Sequence, residues 1–169
     1  MNLRRNLLIA LMAAVLCVLS PWAVPIGPVP VTLATFGLYL IIALLGIKGS
    51  AAAVGLYLVL GGVGVPVFAG FAGGFQQLVG LTGGYLWGYL PAALIGGLLA
   101  KHRWRFALPL AFAAATVVIY TVGTLWYCLS TAASVESALL TCVLPFLPAD
   151  GVKIAAASFL APALRRHIR

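Results

Sequence analysis

The chain has 169 residues, 64% of them hydrophobic and only 7% charged, with a mean hydropathy of +1.17. A soluble domain carries roughly a quarter charged residues, so this composition excludes a water-exposed globular surface and calls for an integral membrane protein. The formal charge of +8 does not point to nucleic acid, because the basic residues stand singly or in small groups between apolar runs, the pattern of membrane orientation.

A hydrocarbon core about 30 Å thick takes about 20 helical residues per crossing, and six crossing segments are predicted. The first covers residues 3–19 and closes at Ser20-Pro21-Trp22. It imitates a secretory signal, with Arg4 and Arg5 ahead of an apolar run. No small-x-small site follows, however, and Leu16 before Cys17 does not suit lipoprotein processing, so an uncleaved helix is expected. Next comes an extended connection around Pro25, Pro28 and Pro30, each of which disfavours helix in the preceding residue. The second and third segments cover residues 32–45 and 50–60, and a Gly-rich stretch follows over 61–80. The fourth, fifth and sixth cover residues 81–100, 106–129 and 148–164. Without internal repeats or low-complexity tails, residues 1–169 read as one all-α, six-helix membrane domain.

Orientation follows from Lys and Arg. Arg4 and Arg5, then Lys48, then Lys101, Arg103 and Arg105, then Arg165, Arg166 and Arg169 fall at every second connection. The alternate connections carry no basic residue, so both termini are expected in the cytoplasm and the Gly-rich stretch outside. Cys17, Cys128 and Cys142 lie too far apart for a disulfide framework or a metal site, although Cys128 and Cys142 could meet outside the membrane.

Lys153 is the exception among the cations. It lies within the sixth segment, three positions after Asp150, and an ionisable group at the centre of a membrane helix costs about 2.5–3.5 kcal/mol. Spacing of i, i+3 puts the two side chains on one face, and Asp150 in the first turn suits the helix dipole. The pair is either a packing ion pair or a binding site. Catalysis is not expected: His102 and His167 stand in basic cytoplasmic segments, Glu136 is alone in an outer connection, and no nucleophile elbow appears. None of Lys48, Lys101 and Lys153 ends a Walker A loop. An acceptor carboxylate beside a donor ammonium suits a small uncharged or zwitterionic group offering both N–H and C=O. The outer stretch would wall such a site with Phe71, the amides of Gln76 and Gln77, Thr82, Gly84, Tyr85 and Trp87. As alternatives, Gly84 and Gly88 make a helix-packing G-x-x-x-G face, and Tyr85, Trp87 and Tyr89 could be interfacial aromatics.

Four ordered segments together resemble the BioY family, the biotin-binding substrate components of energy-coupling-factor transporters. They are Gly27-Pro28-Val29-Pro30-Val31-Thr32-Leu33, Gly64-Val65-Pro66-Val67-Phe68, Thr82-Gly83-Gly84-Tyr85, and Leu144-Pro145-Phe146-Leu147-Pro148-Ala149-Asp150-Gly151-Val152-Lys153. One departure is Leu81, where the family usually has proline. The resemblance implies a six-helix bundle in the bacterial inner or plasma membrane, with a vitamin site near the outer face and no cofactor. Biotin would offer its ureido N–H groups to Asp150 and its carbonyl to Lys153, or alternatively its carboxylate to Lys153. Apolar walls would come from Phe71, Tyr85 and Trp87. The resemblance further implies separate partners, a transmembrane coupling protein and two ATPase subunits, with Ala10 and Ala14 of the first helix at the coupling interface. Ordinary packing within the chain is the other reading of that A-x-x-x-A spacing. Another vitamin, such as thiamine or riboflavin, is the runner-up ligand, and a non-transporting membrane scaffold the runner-up class.

Overall fold

The structure, a computed structural model, describes residues 3–102, 104 and 106–168, the last two by their backbone alone. The expectations for Arg103, Arg105, Arg169 and the His167 side chain therefore lie outside the described residues. Helix α1 (Leu3–Leu19) ends where Pro21 follows Ser20, whose N–H closes the last turn on Leu16 O at 2.9 Å. It buries Met12, Ala13 and Leu16. Leu16 meets α2 at Gly37, where a Cβ would lie 3.1 Å from Leu16 Cδ1. Ala10 and Ala14 lie on the opposite, exposed face with Leu7, Leu11 and Val18.

The proline-rich connection is extended, as expected, but it also pairs with itself. Strands β1 (Ala23–Val24) and β2 (Val31–Thr32) form a small antiparallel hairpin, an addition to the all-α expectation. Gly27 turns within it at φ 74°, where a side chain would be strained.

Helix α2 (Ala34–Gly62) takes in both the second and third predicted segments, but it is not one straight rod. Gly46 sits at φ 65°, ψ −173°, outside helical geometry and accessible essentially to glycine. Ser50 Oγ donates to Ile41 O at 3.1 Å across nine residues. In a straight helix that interval spans about 13.5 Å, so the chain folds back at Gly46. The predicted loop is thus compressed into little more than one residue.

Beyond α2 the Gly-rich stretch is more ordered than the sequence suggested. It holds a 3₁₀ turn (Ala69–Phe71) and helix α3 (Phe75–Val79), and it is tied down by Gly74 N–H to Gly61 O at 2.7 Å and Gly70 N–H to Pro21 O at 3.0 Å. Helices α4 (Gly83–Leu99) and α5 (Ala107–Thr131) match the fourth and fifth segments. A further short helix, α6 (Val135–Cys142), is capped by Ser134, whose side chain accepts from Ser137 N–H, and carries Glu136 in its first turn. After a 3₁₀ turn over Leu144–Phe146, helix α7 runs Leu147–Ile168. Cys17, Cys128 and Cys142 are all free thiols, so no Cys128–Cys142 bridge is formed.

Small residues let the helices approach closely, since lipid supplies no hydrophobic drive for helix association. A Cβ on Gly84 would lie 2.1 Å from Trp126 Cβ, and one on Gly88 3.2 Å from Ile119 Cα, so this G-x-x-x-G face packs α4 on α5. Gly123 answers from α5: its Cβ would lie 2.4 Å from the Tyr85 ring. Gly123→Val is therefore expected to destabilise the purified chain by about 1–3 kcal/mol, the usual cost of overpacking, read as a lower thermal midpoint in detergent. Gly55→Ala, whose Cβ meets nothing within 4 Å, should leave the midpoint unchanged. By length and composition three of the described helical stretches could cross a membrane: Ala107–Thr131, Ala34–Gly62, which is broken at Gly46, and Val135–Arg166, which is broken by the turn over Leu144–Phe146.

Candidate functional site

Local sequence sets the direction of α7. Pro145 and Pro148 fall at the 3₁₀ turn and the first helical turn, where a missing N–H costs nothing. Asp150 follows in the first turn, with the helix dipole favouring its charge. Lys153 stands one turn further, and its Nζ lies 2.8 Å from Asp150 Oδ1, the two side chains being 11% and 6% exposed.

Neither charge is left to its partner alone. Thr35, in the first turn of α2, donates to Asp150 Oδ1 at 3.0 Å, and Tyr120 of α5 donates to Oδ2 at 2.5 Å. Lys153 also donates to Thr32 O at 2.8 Å and to Thr35 Oγ1 at 3.1 Å. With Asp150 this gives the ammonium a partner for each of its three N–H groups. Burying a charge is tolerable only when it is paired and hydrogen-bonded, and here three helices and the end of β2 meet that requirement together.

The pair forms the floor of a cavity of about 270 Å³. Its walls are mostly apolar or aromatic: Val29 and Val31 from the hairpin, Tyr85, Leu86 and Tyr89 from α4, Ile119 from α5 and Phe146 from the turn before α7. Phe68 and Ala69 close it from the Gly-rich stretch. Phe68 is wedged edge-on against Tyr57 at 5.4 Å, in the space that a side chain on Gly61 would occupy. Gln77 and Thr82 add polar groups to the lining. An apolar pocket with a few convergent polar groups is the form of a small-molecule site. Among the described residues no three His, Cys, Asp or Glu side chains converge as metal ligands.

The BioY family model matches residues 1–169. The chain is 38% identical over 165 residues to the biotin transporter BioY of Thermotoga maritima, covering 96% of each chain. It is 34% identical over 184 residues to the biotin transporter BioY of Rhodobacter capsulatus, covering 98% of this chain and 95% of that one. The chain belongs to the BioY family. Its fold is also that of a crystal structure described as the S-component for biotin from an ECF-type ABC transporter. That likeness has a TM-score of 0.90 and 26% identity, over 98% of this chain and 92% of that one.

In this BioY family member the structure brings Asp150, Lys153, Tyr85, Gln77 and Thr82 to one cavity. It places the other expected residues elsewhere. Phe71 is 61% exposed and meets Trp22 edge-on at 6.0 Å. Gly70 and Phe71 both take left-handed φ, 70° and 59°, and Phe68 N–H donates to Ala72 O at 2.9 Å, so the chain reverses here and Phe68 rather than Phe71 reaches the cavity wall. Gln76 is exposed, and Trp87 Nε1 donates to Leu78 O at 3.0 Å, fastening α4 to α3. Gly84 is taken up in the contact with Trp126. Sequence reasoning missed Thr35 and Tyr120. The available signal was faint: Thr32 and Thr35 are three residues apart, and Tyr120 is one of two phenols, with Tyr127, in the apolar fifth segment.

Proposed function

We propose that the chain is the high-affinity biotin-binding substrate component of an energy-coupling-factor transporter, one that captures biotin at the outer face for delivery inward by a separate ATP-driven module. It is a transport component and not an enzyme. The observation that carries this reading is the buried Asp150–Lys153 pair at the floor of an apolar cavity in a chain of the BioY family.

The pair already balances its own charge. A neutral ureido ring, giving N–H to Asp150 and accepting from Lys153, keeps the site neutral, whereas a carboxylate placed on Lys153 would add a net negative charge to a buried site at considerable cost. The ureido pose is therefore the favoured one, exchanging hydroxyl and backbone partners of the pair for ligand groups. The thioether ring then packs among Tyr85, Leu86, Ile119 and Phe146, with Gln77 and Thr82 as further polar contacts.

The reading includes a single domain of six membrane spans, in the bacterial inner or plasma membrane, with both termini inside. The fold-back at Gly46 supports the count, because two crossings within α2 require the chain to reverse between them. Clustering of Arg5, Lys48, Lys101 and Arg166 at the end of the bundle away from the Asp150 cavity supports the orientation. The proposed partners are a transmembrane coupling protein, met through the exposed Ala10 and Ala14 face of α1, and two ATPase subunits.

Equilibrium binding to the purified full-length chain tests the ligand. Biotin is expected to bind roughly 100-fold or more tightly than thiamine or riboflavin, because a site built around a ligand's hydrogen bonds rejects molecules that leave its polar groups unpaired. Absence of biotin binding by a folded chain would leave the pair a packing device and this reading wrong.

A further inference from the structure

The opposite end of the bundle holds a second, larger recess of about 860 Å³. On every shared helix its lining stops short of the first cavity: Ile42 against Thr35 on α2, Gly97 against Tyr89 on α4, Leu108 against Ile119 on α5, and Pro162 against Lys153 on α7. Arg5, Lys48, Lys101, Arg165 and Arg166 line it, five of the ten Lys and Arg of the chain, together with His102. No acidic side chain lines it. The whole sequence has only two. Asp150 is committed to Lys153 in the other cavity, and Glu136 stands on α6 beyond the far end of α5. The chain has no carboxylate side chain with which to balance this cluster.

The cations are not arranged alike. Arg165 is a strut: its Nε donates to Ala43 O at 2.8 Å and its Nη2 to Ala100 O at 3.4 Å, tying the end of α7 to the backbone beside Gly46 and to the end of α4. Arg5, Lys48, Lys101 and Arg166 are exposed at the rim. Beneath them the wall is apolar and buried, at Ile42, Ala43, Gly97 and Ala100. Trp104, 60% exposed and edge-on to Phe106 at 5.4 Å, stands at the same rim, as an aromatic at the headgroup level does.

We infer that this recess binds the phosphate headgroup of an anionic phospholipid, with the rim cations around the phosphate and the apolar wall against the upper acyl chain. An amphiphile fits this division of surface better than a small soluble anion, and basic recesses between membrane helices are where anionic headgroups bind. The inference rests on the chain's lying in a membrane and not on which vitamin the other cavity holds.

The test uses the full-length chain, stripped of lipid in mild detergent and examined by native mass spectrometry with dioleoylphosphatidylglycerol, dioleoylphosphatidylcholine or inorganic phosphate. Phosphatidylglycerol should be retained at least about tenfold better than phosphatidylcholine, and Lys48→Gln and Lys101→Gln should each weaken its retention about fivefold. Biotin binding, at the other end, should stay unchanged in both variants and serves as the measure of intact fold. Arg166→Gln, near the chain end, supplies the same test should a loop variant fail to insert. Equal retention of the two lipids, or variants that hold phosphatidylglycerol as the parent does, would overturn the inference and leave the cations as orientation signals only. Full displacement of the lipid by millimolar inorganic phosphate would also overturn it, marking a site for a free anion.

Discussion

Asp150→Asn and Lys153→Met are each expected to weaken biotin binding by at least about an order of magnitude, because each leaves a buried group without its partner. The geometry makes the two losses unequal in kind. Asn at position 150 leaves the Lys153 ammonium charged and unbalanced, still held by Thr32 O and Thr35 Oγ1. Met at 153 leaves a carboxylate that keeps Thr35 and Tyr120. Breaking a buried pair by removing one member typically costs about 3–5 kcal/mol, part of which appears as lost stability rather than lost affinity. Two companion variants separate these. Tyr120→Phe removes one hydrogen bond to Asp150 without changing any charge, and a loss of affinity with a drop in thermal midpoint smaller than that of either charge variant is the expected result. The double variant Asp150→Asn/Lys153→Met restores neutrality, so its midpoint should recover while binding stays lost. Isothermal titration and thermal denaturation in the same detergent decide the matter. Parent-like biotin affinity in Lys153→Met would show the pair to be structural.

Replacing Ala10 or Ala14 by Trp should abolish ATP-driven biotin uptake while leaving equilibrium binding intact. Both alanines lie on the exposed face of α1, on the side away from Met12, Ala13 and Leu16, which pack against α2. A Trp there meets lipid in the isolated chain, so fold and binding are untouched. In the proposed transporter it would hold α1 away from the coupling protein, and membrane helix association depends on close approach. Co-purification with the coupling protein should be lost in step with uptake. Retained co-purification with full uptake would remove Ala10 and Ala14 from the interface, and so would loss of biotin binding, since that would mean the alanines pack inside this chain.

Several features of the chain are settled by its residues taken alone. With so few charges among 169 residues, only a lipid environment can accommodate the surface. The alternation of Lys and Arg between connections is likewise a property of the sequence, and the expected crossings are read from it without any knowledge of how they pack. Asp150 and Lys153 are legible because an i, i+3 pair needs one helix only, and because charge in an apolar segment is rare enough to stand out. The rest was decided by tertiary structure. Thr35 reaches Asp150 across 115 residues of sequence, and Tyr120 across 30. In sequence Thr35 is a hydroxyl that could equally bond its own helix backbone, as Thr116 does to Phe112 O, and Tyr120 is a phenol whose partner on another helix nothing local names. The choice of Phe68 over Phe71 for the cavity wall turns on the backbone reversal at Gly70, and the joining of two predicted segments on the single conformation of Gly46. Composition and helical spacing act over one turn at a time, so they mark which groups are costly to bury. Which distant hydroxyls and carbonyls meet that cost depends on how the helices dock.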